Sequence, residues 1–220
     1  MHIIILPGWG HSSDIWKSVA QKLGKNTAGI DMPGFGKKML VNSNWGIPDY
    51  AKWVEGKIDT SKNTVLIGHS FGGRVAAEIA SRRPRWLKGL VLAGAPCLYR
   101  PSLKTRLKIN LNKNLKHIIP AGLRQRLLTG ELKEAGIMKM EKIFRNAVKY
   151  DQTNKLKKIN SPTLLIWGGD DNDVPLRIAN EMKGLIKKSN LKIIEGAGHN
   201  SFLDNPNLFF GYVKNFTKNI

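Results

Sequence analysis

The stretch Thr64-Val65-Leu66-Ile67-Gly68-His69-Ser70-Phe71-Gly72-Gly73-Arg74-Val75-Ala76-Ala77 decides how the chain is read. Its first four residues form a short apolar, β-branched run, as a strand covered on both faces requires. From Phe71 to Arg83 the apolar spacing turns helical. Between the two lies Gly68-His69-Ser70-Phe71-Gly72, a G-x-S-x-G. A serine on a sharp strand-to-helix turn presents its hydroxyl at the sheet edge. Glycines two residues before and after it leave room for that strained turn. The start of the helix adds its positive dipole end beside the hydroxyl. Ser70 is therefore the expected nucleophile.

Outward from this turn, strand-like and helix-like segments alternate. Apolar runs at His2–Leu6, Ala28–Ile30, Thr64–Ile67, Leu90–Ala93, Thr163–Trp167 and Leu191–Ile194 read as buried strands. Asp14–Leu23, Asp49–Ile58, Phe71–Arg83, Pro175–Lys183 and Pro206–Phe216 read as helices. Ser13 or Asp14, Pro48-Asp49 and Asp173 serve as start signals. This order predicts an α/β fold with a doubly wound, mostly parallel sheet of about six strands. Residues 97–159 break the alternation. They hold only basic, helix-patterned sequence, with Ile137, Met140, Phe144 and Val148 at helical spacing and Pro120 and Gly130 as breaks. The expected organisation is a core of residues 1–96 and 160–220 with a small helical cap, 97–159, inserted between two core strands.

A serine nucleophile needs a histidine base, which an acid must orient. On such an elbow the acid and then the base follow the serine in the chain. Gly168-Gly169-Asp170-Asp171-Asn172-Asp173-Val174-Pro175 follows one strand, and Glu195-Gly196-Ala197-Gly198-His199 follows the next. Both loops lie past strand ends, where open α/β sheets place their sites. The oxyanion formed on attack at an ester needs backbone donors, and the N–H of Phe71, next after the nucleophile, is one. His69 is expected to pack beside the elbow in a structural role, and His117 to lie on the surface. No histidine pair has the spacing of a metal site, so no metal or other cofactor is expected.

With these residues in view, almost the whole chain resembles the α/β-hydrolase superfamily. Trp167 to Pro175 is similar to its W-G-x-x-D-x-x-x-P acid loop, a match that selects Asp171 over Asp170 and Asp173. Asp173 is then left as a helix cap. Gly196-Ala197-Gly198-His199 is similar to its histidine loop, and Asp31-Met32-Pro33-Gly34-Phe35-Gly36 to its D-x-P-G-x-G turn. Leu6-Pro7-Gly8-Trp9-Gly10 is similar to its H-G-x-G loop and nominates the Trp9 N–H as second oxyanion donor, although a simple turn explains the same residues. The resemblance implies a triad of Ser70, Asp171 and His199. The Pro-Gly-Trp-Gly loop, small size and basic cap resemble the pimeloyl-carrier-protein methyl ester esterases, in which a basic cap receives an acidic acyl carrier protein. That family's elbow reads G-W-S-L-G, and its two leading antiparallel strands are expected to be absent here.

The implied function is a carboxylic-ester hydrolase working through an acyl-enzyme on a small or medium acyl ester. A lactonase on the same triad and a low-turnover ligand receptor are the alternatives. Leu98, Tyr99, Met138 and Phe144 are candidates for the acyl pocket, though core packing explains them equally well. The net charge is +20, with 36 Lys and Arg against 16 Asp and Glu. Between Arg100 and Tyr150 there are thirteen Lys or Arg against three Glu, a net of +10. That charge either receives an acidic partner or is compositional drift spread over lysines. Nucleic acid ranks behind both, since no recognition motif accompanies the charge. The single cysteine, Cys97, and the lack of an export signal lead to the expectation of a cytoplasmic protein. No apolar run approaches the roughly 20 residues that span a bilayer.

Overall fold

The computed structural model describes residues 1–35, 44–100 and 140–220. Six strands make one sheet: β1 (His2–Leu6), β2 (Thr27–Gly29), β3 (Thr64–His69), β4 (Leu87–Ala93), β5 (Thr163–Gly168) and β6 (Ser189–Ile194). Their spatial order is β2-β1-β3-β4-β5-β6, and every neighbouring pair is parallel. The chain order reverses between β1 and β3. A sheet of this kind opens a crevice beyond the carboxyl ends of its strands at such a point.

Side-chain alternation along the strands builds two cores. Ile3 and Ile5 of β1, Val65 and Ile67 of β3 and Val91 of β4 face a layer made by α1 (Lys17–Leu23), α7 (Ser201–Asp204) and α8 (Pro206–Lys218). Leu6, Leu66, Leu90 and Leu92 face the opposite layer. That layer is built from α2 (Ile47–Glu55), α3 (Ser70–Ser81), α4 (Glu141–Lys149), α5 (Thr153–Leu156) and α6 (Leu176–Leu185). Each fully buried Leu, Ile or Val contributes about 1.5–3 kcal/mol relative to exposure, so a central strand such as β3 is strongly specified.

Two of the six runs read as buried are edge strands instead. β2 has a half-buried and two exposed residues, and β6 alternates from Ser189 until the buried Ile194. An edge strand has a partner on one side only, and here its apolar run proves shorter than its full length. The stripe expected at 137, 140, 144 and 148 is also shifted. α4 buries Ile143, Phe144 and Ala147 behind Met140, while Val148 is 39% exposed; Ile137 lies outside the described residues. Pro120, Gly130 and the remainder of 101–139 lie outside them as well. The first helix is prefaced by a 3₁₀ turn, Ser13–Trp16, capped by the Ser12 hydroxyl. α2 starts earlier than expected, at Ile47, because the Asp49 carboxylate reaches back to the Gly46 N–H at 2.8 Å. Asp173 caps nothing: α6 begins after Pro175 with no side-chain cap. Among the described residues, no helix is long and apolar enough to cross a membrane.

Candidate active site

Ser70 stands where β3 becomes α3, and its φ of 47° is left-handed, one of two such non-glycine residues among those described. Such a conformation costs an L-residue about 1–2 kcal/mol and persists only where the surroundings enforce it. The surroundings are the elbow glycines. A Cβ on Gly68 would come within 2.5 Å of the Gly72 carbonyl oxygen. A Cβ on Gly72 would come within 2.2 Å of the Leu6 oxygen. The second contact seats α3 against the end of β1, where Pro7-Gly8-Trp9-Gly10 begins. Gly8 is equally tight, since its missing Cβ would stand 2.8 Å from His69 Nδ1 and 3.4 Å from the Ser70 Cβ. The Pro-Gly-Trp-Gly loop therefore passes directly beside the serine, with the Trp9 and Phe71 rings 5.3 Å apart.

The loops that carry Asp171 and His199 meet at the ends of β5 and β6. Asp171 is buried, and its Oδ2 accepts from His199 Nδ1 at 2.9 Å. Its Oδ1 accepts the backbone N–H groups of Asp173 at 3.0 Å and Val174 at 2.8 Å. The loop is closed by Trp167, whose indole N–H donates to the Val174 carbonyl at 2.8 Å. Asp170 and Asp173 are exposed. A carboxylate so held fixes the imidazole tautomer, with hydrogen on Nδ1 and the lone pair on Nε2. The two loops approach because Gly168 has no side chain: a Cβ there would lie 2.2 Å from the Gly198 oxygen. Behind His199, Phe202 stacks on Trp16 with centroids 3.7 Å apart.

Two contacts to the His199 loop go beyond what the sequence pattern indicates. Gly94, with φ of 50° at the end of β4, faces the imidazole; its missing Cβ would sit 3.1 Å from His199 Nδ1. A glycine directly after a strand was the available signal. His69, buried beside the elbow as expected, also donates from Nε2 to the His199 carbonyl at 3.1 Å. Burial, reinforced by the neighbouring His199, holds its pKa down to about 3, so it stays neutral near pH 7. The thiol of Cys97 is pushed up to about 12 by burial, which keeps it protonated and unreactive.

Of the pocket candidates, Leu98 and Phe144 are buried, Tyr99 is half-buried, and Met138 lies outside the described residues. The Phe144 ring meets that of Trp9 at 5.0 Å, so it stands close to the Pro-Gly-Trp-Gly loop. Asp171, Asp173 and His199 offer ligand atoms within 4.8 Å of one another. Both Asp171 oxygens already accept hydrogen bonds, so a cation there would have to break the carboxylate–imidazole pair.

A 28% identical relative, the pimeloyl-[acyl-carrier protein] methyl ester esterase of Wigglesworthia glossinidia brevipalpis, matches over 99% of this chain and 94% of its own. An enzyme of the same name from Neisseria meningitidis serogroup A is 25% identical over 99% of this chain and 77% of its own. Among solved structures, a bromoperoxidase from Bacillus anthracis superposes with a TM-score of 0.77 at 22% identity, covering 99% of this chain and 92% of that one. The model of the alpha/beta hydrolase family matches residues 3–211, which takes in the elbow, the acid loop and the histidine loop. The chain belongs to the alpha/beta hydrolase family.

Proposed function

We propose that this protein is a carboxylic-ester hydrolase in which Ser70, Asp171 and His199 form the catalytic triad. The observation that carries the reading is the 2.9 Å Asp171–His199 pair on loops beside a left-handed serine at a strand end. His199 Nε2 takes the proton from Ser70 Oγ as the oxygen attacks the ester carbonyl. The N–H groups of Trp9 and Phe71 hold the oxyanion. Collapse expels the alkoxide, which leaves with the His199 proton. Water, deprotonated by the same nitrogen, then cleaves the acyl-enzyme and frees Ser70. The segment 97–159, of which 101–139 lie outside the described residues, is proposed as the cap over this site.

The relatives' names point to a methyl ester of an acyl chain carried on an acyl carrier protein as the substrate. The net +10 between Arg100 and Tyr150 supports the reading, because carrier proteins of this type are acidic and the charge would steer them. The test is a panel of p-nitrophenyl esters, lactones and acyl-carrier-protein methyl esters, run on wild type and Ser70→Ala. Hydrolysis of esters by wild type, lost by several orders of magnitude in the variant, is the expected result. Turnover confined to lactones would reassign the substrate, and a single burst without turnover would make the protein a receptor.

A further inference from the structure

The chemistry above leaves unused a set of polar side chains buried along α3. Arg74 follows Ser70 by one helical turn and is 5% exposed. Its Nη1 donates to the carbonyl of Ala147 at 2.7 Å and to that of Tyr150 at 2.9 Å. These oxygens belong to the last turn of α4 and the residue that ends it, where a helix leaves carbonyls without partners and its dipole favours a cation. The bonding is returned, since the Gln152 side-chain amide donates to the Arg74 carbonyl at 2.9 Å. One turn further along α3, the buried Glu78 accepts from the Tyr150 hydroxyl at 2.9 Å and from Lys155 Nζ at 2.8 Å. α3 thus carries the nucleophile at its first residue and a clamp on the far end of α4 at its fifth.

What the clamp holds in place is a wall beside the Pro-Gly-Trp-Gly loop. Phe144, on α4, packs edge-on to Trp9, and Trp9 packs likewise on Phe35 at 4.9 Å. Met140, immediately before α4, presses on Gly34 so closely that a Cβ there would lie 2.5 Å from its methyl. We infer that Arg74 is a specificity-determining positioning residue. By tying α4 to the nucleophile helix, it sets how near Phe144 and Met140 stand to Trp9, and so which acyl-chain lengths fit against Ser70. The inference rests on the esterase reading above. It predicts a wall defined by one buried guanidinium rather than by the packing of α4 alone.

The test measures kcat/KM against acyl length with p-nitrophenyl esters from acetate to dodecanoate. Wild type should show a definite preference, and Arg74→Met should shrink the ratio of best to worst ester about tenfold, through KM. Arg74→Lys, which keeps a cation within reach of one carbonyl, should recover most of it. The rate at which a small fluorophosphonate labels Ser70 should not change in Arg74→Met. Phe144→Ala should cause the same loss of selectivity, and the double variant should lose no more than either single one, because both act through one wall. If Arg74→Met does not fold, Arg74→Gln is measured in its place and must lose part of the selectivity. A flat wild-type profile, an equal loss on every ester, or additive losses in the double variant would overturn the inference. Failure of the esterase reading itself looks different, since wild type would then turn over none of the p-nitrophenyl esters, whether or not it takes up the label.

Discussion

Three aspartates crowd one loop, and what separates them is the company each carboxylate keeps. Asp171 is buried with three donors around its two oxygens: His199 Nδ1 on one, and the Asp173 and Val174 amides on the other. Asp171→Asn should lower kcat by ~10⁴, because an amide at this place favours the wrong imidazole tautomer. Asp173→Asn should change it by about twofold at most, as expected for an exposed side chain. Steady-state kinetics on one p-nitrophenyl ester separates the two. His69 makes a prediction of a different kind. Its pKa is depressed to about 3 in the folded state, against about 6.5 for an unfolded histidine. The unfolded chain therefore takes up the proton first, and folding stability falls as pH drops from about 6.5 toward 3. The loss should reach about 2 to 3 kcal/mol by pH 4.5. His69→Gln should flatten that slope in urea titrations at pH 7 and pH 4.5. Ser70, Asp171 and His199 were legible as site candidates because each is flanked by glycines that only a special turn explains. Gly94 and the His69–His199 bond were not, since they depend on how β4 and β6 are brought together across the sheet.

At the level of elements, the elbow works because backbone meets backbone. Gly72 stands against the Leu6 and Pro7 oxygens, 2.2 and 2.4 Å from where a Cβ would be, and neither atom belongs to a side chain that can turn away. Gly72→Ala should destabilise the protein by roughly 3 kcal/mol in urea unfolding and suppress ester hydrolysis, by driving α3 from the end of β1. The parallel character of the sheet could be foreseen from β3, β4 and β5, whose apolar runs are near-continuous because both faces are covered. The edges could not. β2 and β6 are each paired on one side, and their short apolar runs mark only part of the strand. The helical stripe near residue 144 was legible as to period but not as to face. Which residues it buries is decided by Arg74 and Trp9 on other elements, and local spacing carries no record of them.

For the molecule as a whole, the unusual quantity is the charge of +20, half of it between Arg100 and Tyr150. If that charge steers an acidic carrier, kcat/KM for a carrier-bound ester should fall by about tenfold between low salt and ~150 mM. A small neutral ester should barely respond. Reversing Arg124 and Arg126 to glutamate, both outside the described residues, should reproduce the selective loss at constant salt. Parallel responses of the two substrates would assign the charge to drift and leave the triad untouched. Composition could state the size of this charge but not its purpose, because lysines spread along a chain read alike whether they face a partner or water. The central claim is that the acyl group passes through Ser70, and the direct measurement is mass spectrometry after treatment with a serine-directed fluorophosphonate. One adduct, located on Ser70, is expected, with no labelling and no ester hydrolysis in Ser70→Ala. An adduct on another residue, or hydrolysis that persists in that variant, would contradict the claim.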